Sequence, residues 1–126
     1  MNTIQQQNSF DLRQMIFDMV TDLENVFSRP EEKGDLGIIL FYIKKQHPDS
    51  IMKFAIKNLL PYKTHIESRS LEFFAINTYI FTGLPDEKVE YYTKEIVTNK
   101  RLSSSDMDML WEYLNAIIAL AECNGM

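Results

Sequence analysis

Three of the four prolines in this chain are followed directly by acid: Pro30-Glu31-Glu32, Pro48-Asp49 and Pro85-Asp86-Glu87. Proline suits the first helical position because that N–H has no intrahelical partner. Carboxylates just after it complement the positive end of the helix dipole. Each cluster therefore reads as a helix start. The fourth, Pro61, reads as the end of the preceding helix and the opening of a short turn over residues 62–64.

Between these marks the apolar spacing is helical. Asn8 or Ser9 can cap a first stripe of Leu12, Ile16, Met19, Val20, Leu23 and Phe27. A second helix is expected over residues 35–46, its first turn weakened by Gly34 and Gly37 at about 1 kcal/mol each. It carries Leu36, Ile39, Leu40 and Ile43, with Ile38, Phe41 and Tyr42 widening the apolar face. A third, over 48–60, is apolar nearly all round and should lie at the centre of a bundle. A fourth spans 70–81, with Gly83 as a stop. A fifth spans 85–97.

The last helix is the clearest. Ser103 with Asp106 three residues on resembles a capping box. Met107, Leu110, Trp111, Leu114, Ile117, Ile118 and Ala121 follow at 3-4-3 spacing. Sustained period-2 alternation of the strand type is absent. The fold class predicted is all-α, a compact single-domain bundle of about six helices over residues 9–126 behind a flexible tail at 1–8. At 126 residues with 45% apolar side chains, the chain can fill one core.

Chemistry-bearing patterns are sparse. The histidines, His47 and His65, lie 18 residues apart with no partner at i+3 or i+4. Zinc sites cluster their N and S ligands, and the single Cys123 supplies neither a zinc set nor an intramolecular disulfide. Glu-x-x-His pairs for a di-iron bundle are missing. The Ser103-Ser104-Ser105 run is explained by helix capping. Gly34-Asp35-Leu36-Gly37 lacks the lysine and glycine spacing of a phosphate cradle. No metal site, cofactor, catalytic residue or small-molecule substrate is evident. The N-terminal residues lack a secretory pattern, the longest apolar run is far short of a membrane span, and an intracellular compartment is expected.

Charge is segregated although the total is only −5. Residues 1–43 balance at −4, residues 44–70 at +4 and residues 71–126 at −5. Lys44, Lys45, Lys53 and Lys57 form a candidate basic patch for an acidic partner surface or phosphate. The same lysines also complement helix C-termini without any partner. A nucleic-acid binder usually carries a basic balance, which this chain does not. Phe10, Phe17, Tyr91, Tyr113 and Leu120 fall away from the main stripes. Surplus apolar residues on more than one face point to a docked partner or self-association.

Two stretches carry a resemblance. They are Phe73-Phe74-x-x-Asn77-x-x-Ile80-Phe81-x-Gly83-Leu84-Pro85 and Leu102-Ser103-x-x-Asp106-x-x-x-Leu110-Trp111-x-Tyr113-Leu114. Both resemble small helical proteins of unknown role from large nucleocytoplasmic DNA viruses. The resemblance implies a virion component or a factor acting on a host protein, and it transfers no residue role. The function expected is a non-enzymatic helical interaction or structural protein. It would dock on protein partners or on itself through apolar faces and the basic patch. The alternatives are a nucleic-acid or phosphate-surface accessory protein and a small carboxylate-dependent enzyme.

Overall fold

The computed structural model describes residues 3–76 and 84–125, with residues 75 and 76 described by backbone alone. In chain order the helices are α1 (Thr3–Leu23), α2 (Pro30–Lys45), α3 (Pro48–Asn58), α4 (Lys63–Glu67), α5 (Glu72–Ile76), α6 (Asp86–Val97) and α7 (Ser104–Gly125), with a 3-10 turn at Leu60–Tyr62. Among the described residues there is no strand, and the fold is an all-α single domain. No helix among them is long and apolar enough to cross a membrane.

The proline–acid clusters start helices for the reasons their chemistry dictates. Pro30 opens α2, and the Glu32 carboxylate accepts the Arg29 backbone N–H at 3.2 Å. Pro48 opens α3, where His47 Nδ1 accepts the Asp49 N–H at 3.1 Å. Pro85 caps α6 ahead of Asp86 and Glu87. The capping box of α7 is reciprocal. Ser103 Oγ accepts the Asp106 N–H at 3.1 Å, and Asp106 Oδ2 accepts the Ser103 N–H at 3.2 Å.

Two expectations need correction. Residues 3–8 are the first turns of α1 and not a flexible tail. Gln7 donates to Asp11, Asn8 donates to Asn124 at 3.0 Å, and Asn124 donates to the Gln5 carbonyl at 3.0 Å, so the far end of α7 holds this segment. Next, α2 begins at Pro30 and not at 35, because its proline, first-turn acids and cap outweigh two glycines. Helix α3 lies along both α1 and α7, burying Ile51, Met52 and Ala55 and leaving its polar strip at Lys53 and Lys57 in solvent. In the stretch expected as a fourth helix, α5 is described to Ile76, and residues 77–81 with the Gly83 stop lie outside the described residues.

The core follows the 3-4 stripes. Leu12, Val20, Leu23 and Phe27 meet Leu110, Leu114, Ile117 and Ala121, all essentially inaccessible. Phe73 and Phe74 pack on Trp111 with ring centroids 6.2 and 5.1 Å away. Among the described residues two non-glycine residues adopt left-handed backbone, Arg69 at φ 54° and Lys100 at φ 50°. Each ends a helix: Ser70 N–H reaches back to the His65 carbonyl, and Arg101 N–H to the Glu95 carbonyl, both at 2.9 Å. Such reversals satisfy terminal carbonyls at the cost of an unfavourable φ.

Candidate functional site

The solvent face of α2 carries Ile38 and Phe41, two of the large apolar side chains left exposed among the described residues. Its inward side buries Glu32, Asp35, Leu36, Ile39 and Ile43. At 100° per residue the opposite side carries Pro30, Gly34, Gly37, Ile38, Phe41 and Lys45. Phe41 is 63% exposed and Ile38 53%, large values for side chains worth about 1.5–3 kcal/mol each when buried. A Cβ added at Gly34 or Gly37 would meet nothing within 4 Å, so both glycines border open space. Glu31 stands exposed at one end of this face and Lys45 at the other. Lys45 Nζ lies 4.9 Å from the centroid of the Phe41 ring.

The four lysines of the candidate basic patch lie on α2 and α3. Lys44 shares a cleft with Arg13, Gln14, Phe17 and Ile43, its Nζ 5.2 Å from the Phe17 centroid. Lys53 borders a different cleft, with Gln5, Ser9, Asp49 and Asn124 among its neighbours. Lys57 is exposed on α3. Two further cations of the basic middle pair with α7: Lys63 with Glu122, and Arg69 with Asp108 at 2.7 Å. Lys44 and Lys53 therefore border different clefts.

Of the five surplus apolar residues only Phe10 is exposed, at 53%. Phe17, Tyr91, Tyr113 and Leu120 pack half-buried against the core, which corrects their reading as outward-facing. The phenols explain part of the error, because each ring is covered while its hydroxyl finds an acid. Tyr113 donates to Asp22 at 2.7 Å and Tyr91 to Glu32 at 2.6 Å. The Asp22 hydrogen bond, aided by burial, pushes the Tyr113 phenol up to about 12.

A buried ionic brace went unforeseen. Arg101 grips both oxygens of Glu32 at 3.0 Å each, reaches Glu95 at 3.2 Å, and lies 5.2 Å over the Phe27 ring. Tyr92 donates to Asp35 at 2.7 Å, and Lys88 pairs with Asp35 at 3.3 Å and with Glu31. Burial alone would push the Glu32 carboxyl up. Arg101, Tyr91 and the Arg29 amide together hold it below the usual carboxylate range. Among the described residues no buried side-chain polar atom lacks a partner. A fully satisfied network of this kind rigidifies a core. The available signal was that Glu32 and Asp35 continue the Leu36–Ile39–Ile43 stripe at its own spacing.

An open cleft of about 780 Å³ lies over the brace, lined by Arg29, Glu31, Glu87, Lys88 and Tyr91 among others. Among the described residues no three His, Cys, Asp or Glu side chains gather as a metal set. Comparison with family models, curated proteins and solved structures gave no match to this chain. The resemblance over residues 73–85 and 102–114 gains no support from them, and Asn77, Ile80, Phe81 and Gly83 of its first stretch lie outside the described residues.

Proposed function

We propose that this protein is a non-enzymatic helical interaction protein whose docking surface is the outward face of α2, and that a second copy's α2 occupies it. The observation that carries this reading is the apolar centre of that face, Ile38 and Phe41 beside Gly34 and Gly37, set opposite a fully buried side of the same helix.

The order of charges along α2 is self-complementary. Acid stands at its start and base at its end, so two copies laid antiparallel about a two-fold axis near Ile38 bring Lys45 of each towards Glu31 of the other. The same register sets each Phe41 ring over the hollow left by the second copy's glycines, which lets the backbones approach. Isologous pairing of this kind is the commonest route to a homodimer. One helix face against another buries at or below about 1,200 Å² in total, the class of weak and transient interfaces.

Light scattering on the pure chain, coupled to size exclusion, tests the reading across micromolar to millimolar protein. A concentration-dependent dimer is expected, abolished by Phe41→Asp and weakened by Lys45→Glu. Combining Lys45→Glu with Glu31→Lys restores it. A chain that stays monomeric at millimolar concentration refutes the reading, as does a dimer indifferent to Phe41→Asp.

A further inference from the structure

Where α1 crosses the C-terminal half of α2, two small spaces of opposite character share a wall. One is an apolar cavity of about 150 Å³ walled by Ile16, Met19, Ile39, Ile43, Ile51 and Phe54, with Gln46 and Ser50 supplying polar groups at its edge. The other is a cleft of about 170 Å³ that carries two cations, Arg13 and Lys44. Ile43 lines both. Arg13 Nη1 donates to the Gln46 carbonyl at 3.0 Å, which holds the guanidinium against a residue of the cavity rim.

The cations are poised and not consumed. Neither Arg13 nor Lys44 makes an ion pair among the described residues. Arg13 lies 5.6 Å over the Phe10 ring and Lys44 5.2 Å over the Phe17 ring, contacts weaker than a charge-assisted bond to a carboxylate. The acids that flank Arg13 along α1 are engaged with glutamines, Asp11 with Gln7 at 2.9 Å and Asp18 with Gln14 at 2.8 Å.

We propose that this elbow binds an anionic amphiphile, an acyl carboxylate of short to medium chain. Its tail fills the apolar cavity and its carboxylate meets Arg13 and Lys44. Size and polarity set the class. A mainly apolar space of about 150 Å³ has room for a guest of roughly benzene's bulk, which matches a short alkyl tail. The neighbouring pair of cations supplies what an alkane or a neutral alcohol cannot use. The site is separate from the outward face of α2, so it stands whether or not the chain dimerises.

Calorimetric titration of the full chain tests this with three probes: octanoate, n-octanol with the same length of chain and no charge, and acetate as a head without a tail. Octanoate is expected to bind at least tenfold more tightly than octanol, with no detectable acetate binding. Arg13→Gln and Lys44→Gln each reduce octanoate towards the octanol level while leaving octanol unchanged. Ile51→Phe, which fills the cavity, removes both ligands. Because that variant disturbs the core, the two surface substitutions carry the test if it does not fold. Equal binding of octanoate and octanol overturns the anionic head group. Absence of binding by both overturns the site.

Discussion

Arg101→Met isolates the energetics of the buried brace. The substitution keeps the side chain's length and apolar stem but deletes the charge that faces Glu32, which is 2% exposed, and Glu95, which is 8% exposed. Removing one partner of a buried ion pair costs about 3–5 kcal/mol, because the remaining charge is left desolvated. Glu32 keeps the Tyr91 hydroxyl and the Arg29 N–H, and the Arg101 side chain is itself 20% exposed, so the lower end applies, about 3 kcal/mol. A chain of this size holds roughly 6–19 kcal/mol in total, so the variant still folds. At about 4 °C per kcal/mol, the melting temperature falls by about 12 °C.

Far-UV circular dichroism through heat or urea unfolding reads the change. The pH dependence separates lost charge pairing from lost packing. In the native chain Glu32 sits below its ordinary value, so its contribution is present above the unfolded carboxylate pKa and fades as pH falls through the lower folded one. In Arg101→Met the same carboxyl is buried without its main partner and rises, so acid neutralises it and narrows the gap to the native chain. Replacing Glu32, Glu95 and Arg101 together by apolar residues of similar volume recovers most of the loss. A single variant within 1 kcal/mol of the native chain would refute the reasoning. So would a gap that widens between pH 7 and pH 5.

Four further outcomes are expected. Ser103→Ala removes the acceptor for the Asp106 N–H and costs about 1 kcal/mol in urea unfolding, without changing the fold. Lys100→Gly relieves a left-handed residue and raises stability by about 1 kcal/mol, provided Arg101 keeps its grip. Gly34→Ala stabilises the monomer by about 1 kcal/mol, since its Cβ meets nothing, yet weakens dimerisation seen by light scattering. For Tyr113, raised by Asp22 and burial to about 12, the contribution is full below pH 10 and is lost as pH climbs through 12. Tyr113→Phe abolishes that alkaline loss in a pH-resolved melting series.

Legibility in the sequence tracks the range of the interactions. The starts of α3 and α6 and the box at Ser103 and Asp106 rest on contacts within a few residues, and local chemistry reveals them, whereas Gly34 and Gly37 hid the true start of α2 at Pro30. The stripes of α1 and α7 follow from periodicity alone. The helical state of residues 3–8 depends instead on Asn124, more than a hundred residues away. The brace required Lys100 to turn left-handed so that Arg101 could reach Glu32 across 69 positions. Tyr91 and Tyr113 misled because an amphipathic ring can belong to a core while its hydroxyl serves an acid. The outward face of α2 was half legible: Ile38, Phe41 and Tyr42 stood out as a widened stripe. Only the packing revealed which side was left uncovered.

The pairing of α1 with α7 packs together the two helices farthest apart in the chain. On a ribosome, some 80 residues separate the end of one from the start of the other, which at about 5–20 residues per second means roughly 4–16 s. Throughout that interval Leu12, Val20 and Leu23 lack the α7 side chains that they pack with in the folded chain. The nascent chain therefore presents a sticky amphipathic helix for seconds.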